Sequence, residues 1–261
     1  MAKQPVDAGR GRGSKVKKGG QRKQKSFLTI LGLVAALFAV FIVFQMNKPT
    51  DGGARQIDPS VPLPEASGYL LGSVTAPVQV IEFADFECPA CAQFFSLTEP
   101  DVKARLIDTG IISYRFLDFP LAMHPNTWHA SNAAACANEQ GKFWEMHDAL
   151  FNSQDQWSGQ VTRRPKGKMQ DLARQIGLDV GQWEECFDAQ KYLANIQAHE
   201  REAIRRGAGQ TPTFIIGSRL VPGAISYDRF KAYVDTALAE AKANPVTPLP
   251  SGDTALKKGE Q

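Results

Sequence analysis

Two cysteines stand three positions apart in "FADFECPACAQFF" (Phe83–Phe95), in a chain of 261 residues that has only four. A Cys-x-x-Cys pair suits covalent haem attachment, structural zinc, a loop staple or thiol–disulfide exchange. Haem attachment needs His directly after the second cysteine, and Ala92 stands there. A structural zinc site needs four ligands. There is no second Cys-x-x-Cys, and His124, His129, His147 and His199 are not at finger spacing, so no metal and no cofactor is expected. Thiol exchange explains the placement. The pair follows the apolar run "PVQVIEF" (Pro77–Phe83) and opens a helical pattern. Cys88 is therefore expected at a helix N-terminus, where free N–H groups and the macrodipole favour a thiolate. Cys91, one turn on, is placed to attack a mixed disulfide on Cys88. Pro89 removes an N–H that has no helical partner anyway.

The elements that must position the pair follow from periodicity. Pro77–Phe83 reads as a buried strand and Ile111–Pro120 as a second, with a helix over Ala90–Ile107 between them that Pro100 kinks. Helical patterns fill His124 to Arg206. "TPTFIIG" returns to strand, "VPG" closes a short hairpin, and "SYDRFKAYVDTALAEA" is an amphipathic helix with Ser226 as N-cap. Strand, helix, strand, a block of helices, hairpin and helix make an α/β sandwich with a helical insertion.

Charge and hydropathy organise the rest. Residues 1–26 carry nine Lys and Arg against Asp7 alone, a net +8. The whole chain is +3, so the remainder is near −5, which gives no support to nucleic-acid binding. "FLTILGLVAALFAVFIVF" (Phe27–Phe44) is uncharged, and as a helix it rises about 27 Å, close to a bilayer's hydrocarbon thickness. A single-pass anchor over residues 27–46 is expected, with the basic arm cytoplasmic and the rest outside. A cleaved signal peptide competes, but no small-x-small site follows; a buried core helix is the remaining alternative. Residues 47–72, rich in Pro, Gly and Asp, read as a linker, and residues 244–261 as a disordered tail. The folded unit is expected over 73–243, with the helical insertion at about 122–207.

The segments "FADFECPACAQF", "YRFLDFPLAMHP", "CANEQGKFWEMHDALF" and "GQTPTFIIG" resemble, in this order, the DsbA-like thiol–disulfide oxidoreductases of the thioredoxin superfamily, and the membrane-anchored bacterial members above all. The resemblance implies a thioredoxin-like α/β fold with an inserted α-helical domain. The 121 positions from Cys91 to Pro212 leave room for one. It also implies that Cys88 is the nucleophile, Cys91 the resolving cysteine and Pro212 a cis-proline facing the pair. A cis peptide there leaves the backbone of Thr211 to pair with an extended client; an ordinary strand-edge proline is the alternative. Glu82 occupies the position, six before Cys88, where some members keep a buried acid that moves protons. A partly solvated strand carboxylate is the plain alternative, and Arg115 is a candidate basic partner. His124 is read as lining the groove or capping a loop. Strong oxidants of the family often carry His between the cysteines, whereas here the pair encloses Pro89 and Ala90, with Asp85 and Glu87 upstream.

An enzyme outside the cytoplasmic membrane meets an oxidising space. Cys136 and Cys186 are then expected to form a structural disulfide, since a free thiol would scramble with Cys88. The expected function is an extracytoplasmic thiol oxidase that introduces disulfides into secreted or membrane proteins and is recycled by a quinone-linked membrane thiol oxidase. A disulfide reductase or isomerase using the same pair, and a non-catalytic module that binds unfolded chains, are the alternatives.

Overall fold

The structure, a computed structural model, describes residues 33–43, 55–56 and 67–243. Residues 33–43 form helix α1, an eleven-residue stretch whose large apolar side chains are exposed. No helix among the described residues is long and apolar enough to cross a membrane. The basic arm, the flanks of the apolar segment and the C-terminal tail lie outside the described residues.

The domain is built on a six-stranded sheet of order β1-β6-β5-β3-β4-β2. Its centre is β3 (Val78–Ala84), of which only Gln79 is exposed. A run this apolar suits a strand covered on both faces. Side chains alternate across the sheet. Val78 and Val80 pack with Phe94, Phe214 and Phe230 on one face, and Ile81 and Phe83 with Leu117, Ala203 and Ile215 on the other. Glu82 shares parity with Val80, so it points to the first face. Strand β4 (Ile112–Asp118) runs parallel to β3, with Val80 opposite Tyr114 and Glu82 opposite Phe116.

Between them the expected single helix is broken. Helix α2 covers Pro89–Leu97, α3 covers Glu99–Val102, and a π-helical turn covers Lys103–Ile107. Pro100 explains the break: it has no N–H to give the preceding turn, so it is tolerated only at the start of a new helix. Thr98 marks the joint, its hydroxyl donating to the Ile225 carbonyl at 3.0 Å.

Helices α4 (Thr127–Asn138), α5 (Phe143–Asn152), α6 (Gln154–Trp157), α7 (Lys166–Gln175), α8 (Val180–Asp188) and α9 (Leu193–Arg205) all fall between β4 and β5. Their core includes Phe143, Leu150, Trp157, Trp183 and Phe187. Cys136 on α4 and Cys186 on α8 are joined by a disulfide inside it. Strands β5 (Thr213–Ile216) and β6 (Arg219–Pro222) form the hairpin. Its turn needs Gly217, whose φ is +59°, and an added Cβ would lie 2.8 Å from that of Ala237. That alanine belongs to the last helix, α10 (Tyr227–Ala243), which follows directly on Ser226.

The stretch expected as a linker supplies two strands, which corrects that expectation. β1 (Arg55–Gln56) pairs antiparallel with β6, and β2 (Tyr69–Leu71) pairs antiparallel with β4. Three residues are too few to show a period of two. What fixes β2 is tertiary: Tyr69 stacks on Phe143, and the Trp144 indole N–H donates to the Leu70 carbonyl at 3.0 Å.

Candidate active site: a thiol pair at the head of a helix

Strand β3 delivers the chain to Cys88, which is the N-cap of α2 with Pro89 in the first turn. Both thiols are free, and both are buried. The Cys88 thiol donates to the Thr211 carbonyl at 3.5 Å. Its pKa is lowered from 9.0 to about 6, first by the Cys91 thiol beside it, then, against burial, by the Thr211 side chain and the N–H groups of Cys91 and Ala90. Cys91 moves the other way. Burial, the Cys88 sulfur and Glu82 hold its proton on well above the ordinary thiol range. The two sulfurs are therefore unequal: the setting of Cys88 favours a thiolate, and that of Cys91 a thiol.

Beneath them lies Glu82, fully enclosed. Burial pushes its pKa up to about 7, against the Tyr114 hydroxyl, which donates to Oε2 at 2.6 Å. The partner is thus a phenol and not the cation Arg115, whose guanidinium donates instead to the Ser67 carbonyl. Register explains this, because Tyr114 is the diagonal same-face neighbour of Glu82 and Arg115 points to the opposite face.

Asp85 and Glu87 are occupied elsewhere. Asp85 accepts from the Glu87 N–H at 2.8 Å, the Thr127 hydroxyl at 2.6 Å and the Leu121 N–H at 2.9 Å, and it pairs with His124 Nδ1 at 2.7 Å. Glu87 accepts from the N–H groups of Asn126 and Gly159. These carboxylates hold the loops around the pair. His124 is raised above its ordinary pKa, first by its bond to Asp85 and then, against burial, by the charges of Asp85 and Cys88. His124 both caps the loop and lines a cavity of about 590 Å³ beside Pro89, with Met123, Gln154 and Val161. Gln154 reaches from the helical insertion to donate to the Phe86 and Cys88 carbonyls at 2.8 and 3.2 Å. Opposite the pair, the Thr211–Pro212 peptide is cis. Sequence reading missed Tyr114, Thr127 and Gln154, for which spacing along the chain gives no signal.

Across the chain, a family model described as Thioredoxin matches residues 65–236. The chain belongs to the thioredoxin family. Within that family it is DsbA-like. Wolbachia pipientis alpha-DsbA1 superposes with a TM-score of 0.62 at 26% identity, covering 70% of this chain and 96% of that one. The Bacillus subtilis disulfide bond formation protein D is 27% identical over 177 residues, covering 65% of this chain and 76% of that protein. The Na(+)/H(+) antiporter NhaA 3 of Salinispora tropica is 34% identical over 190 residues, covering 72% of this chain but 28% of that protein. The chain thus spans about a third or less of the length of the first curated relatives it matches. The thioredoxin-family domain makes a prediction at its pair. Iodoacetamide should modify Cys88 alone in the reduced native protein. The rate should rise with pH to a plateau, with a midpoint near 6 in place of about 9 in urea. A native midpoint above 8 would show that the Cys88 thiolate is not stabilised.

Proposed function

We propose that this DsbA-like thiol–disulfide oxidoreductase is an oxidase. It donates the Cys88–Cys91 disulfide to reduced secreted or membrane proteins outside the cytoplasmic membrane. The observation that carries the reading is the unequal pair, with Cys88 lowered to about 6 and Cys91 raised. A client thiolate attacks Cys88 Sγ, the Cys88–Cys91 bond breaks, and Cys91 leaves as a thiolate. With so high a pKa, Cys91 needs a proton at once, and Glu82, poised at about 7, supplies it. A second client thiolate then attacks the client sulfur of the mixed disulfide. Cys88 leaves as a thiolate, and a low-pKa leaving group leaves faster. The client loses two electrons and the Cys88–Cys91 pair gains them. A stabilised Cys88 thiolate favours the reduced enzyme, which is what makes a disulfide oxidising.

Clients are expected to dock along the backbone of Thr211 and in the cavity beside Pro89, where Met123 and Val161 present exposed apolar side chains. A quinone-linked membrane thiol oxidase restores the disulfide, and residues 27–46 anchor the enzyme with residues 1–26 in the cytoplasm. The exposed apolar face of α1 supports an anchor, because water-exposed patches of that kind are rare. A reductase is the second reading, and it predicts the opposite resting state.

One experiment separates these readings. Intact cells are acid-quenched and the thiols of the protein tagged by mass before and after reduction. In a parallel sample the reduced protein is offered a membrane-impermeant maleimide from outside. The oxidase reading expects Cys88 and Cys91 to be mostly disulfide-bonded at rest, and Cys88, once reduced, to be open to the impermeant reagent. A resting pair that is mostly reduced makes the protein a reductase, and a reduced Cys88 shielded from the reagent refutes the topology.

A further inference from the structure

Among the described residues, Glu99, His147 and Asp148 bring one ligand atom each to within 4.8 Å of one another. None of them belongs to the redox pair. Glu99 begins α3 in the sheet-bearing half of the fold, while His147 and Asp148 lie in the middle of α5 in the insertion. The His147 ring is fully buried among Phe86, Phe95, Phe116, Trp144 and Phe151. Its Nδ1 faces Asp148 Oδ1 at 2.9 Å, and its Nε2 has no hydrogen-bond partner. The Asp148 side chain is 59% exposed.

Glu99 supplies the second observation. It is only 7% exposed, yet among the described residues its carboxylate makes no hydrogen bond and no ion pair. Buried carboxylates are normally paired, hydrogen-bonded or metal-bound. Burial first, then the nearby carboxylates Glu82 and Asp148, hold its proton on well above the ordinary carboxylate range. Each of the three residues lacks what a cation supplies. The Glu99 carboxyl has no partner but its own proton, the His147 ring has an unpartnered Nε2, and Asp148 is bound only through Nδ1 of that ring.

We propose that Glu99, His147 and Asp148 form a binding site for a divalent metal of the zinc class, separate from the redox pair and joining α3 to α5. Ligand identity sets the class. One imidazole nitrogen and two carboxylate oxygens suit zinc at about 2.0–2.2 Å, with water as the fourth ligand. Calcium prefers six to eight oxygens and is not served by imidazole. The absence of finger spacing in the sequence says nothing about such a site, because its ligands are brought together by the packing of α5 against the α2–α3 joint.

The test uses the full chain in detergent with Cys88–Cys91 oxidised, so that the active thiols do not take up metal. Calorimetry with zinc chloride should give one saturable site, zinc should raise the melting temperature, and cobalt should give the visible absorption of a low-coordinate nitrogen–oxygen site. Glu99→Gln and Asp148→Asn should each weaken zinc binding by at least ~10-fold, the factor that even ligand-supporting residues carry. Asp148 is exposed, so its variant keeps the fold and makes the comparison secure. No saturable zinc uptake by the oxidised wild type, equal uptake by both variants, or preference for calcium over zinc would each overturn the proposal.

Discussion

Cys91→Ala protein, expressed in cells, is expected to accumulate mixed disulfides with clients that Cys88→Ala protein does not form. The asymmetry follows from where the sulfurs sit. Cys88, at the N-cap of α2, is the thiolate, and its sulfur makes the mixed disulfide. Cys91, 1% exposed and protonated, is shielded from clients and serves only to close the intramolecular bond. Removing Cys91 leaves the mixed disulfide without its resolving thiol, whereas removing Cys88 leaves a buried sulfur that no client reaches. In oxidation of a reduced, unfolded client, either variant should fall to the rate of the reaction without enzyme, because a two-electron transfer needs both sulfurs. Non-reducing gels with mass spectrometry of the adducts supply the readout. Equal trapping by the two variants would mean that the roles of the sulfurs are wrongly assigned.

The second large effect concerns stability. Replacing both Cys136 and Cys186 with alanine is expected to destabilise the domain by about 4 kcal/mol, the chain-entropy value for a loop of the 50 residues they close. In a domain of this size that corresponds to a fall in melting temperature of roughly 8–16 °C. The bond ties α4 to α8 inside the helical core, away from the active sulfurs, so the variant that remains folded should keep the Cys88 alkylation profile unchanged. Differential scanning calorimetry of oxidised wild type against the double variant measures it. A shift under 2 °C would place the stability of the insertion in its aromatic packing instead.

Much of the fold is legible because composition reports it directly. β3 and β4 are apolar runs long enough to stand out, and the hairpin is announced by the β-rich "TPTFIIG" and the closing "VPG", although Arg219 and Leu220, which read as turn, belong to its second strand. The redox pair is legible because helix starts have a local grammar: a strand end, a capping position and a proline. Other features are set by register or by tertiary contact and leave no local trace. Tyr114 reaches Glu82 only because β3 and β4 pair with Val80 opposite Tyr114. The bonds that converge on Asp85 come from residues 2 to 42 positions away. Pro100 was visible, but whether it bends a helix or begins another depends on the Thr98 bond to Ile225, which is 127 positions distant.

The two short strands ahead of Val78 bear on the sheet's margins. β1 covers the outer side of β6 and β2 covers the outer side of β4. Each is too brief to recruit another chain, which is one way natural sheets avoid edge-to-edge association. A fragment begun at Gly72 would remove both. It would leave the outer backbone N–H and C=O groups of β4 and β6 unpaired, turning two closed margins into templates for self-association during production. A fragment begun before Arg55 keeps both margins covered.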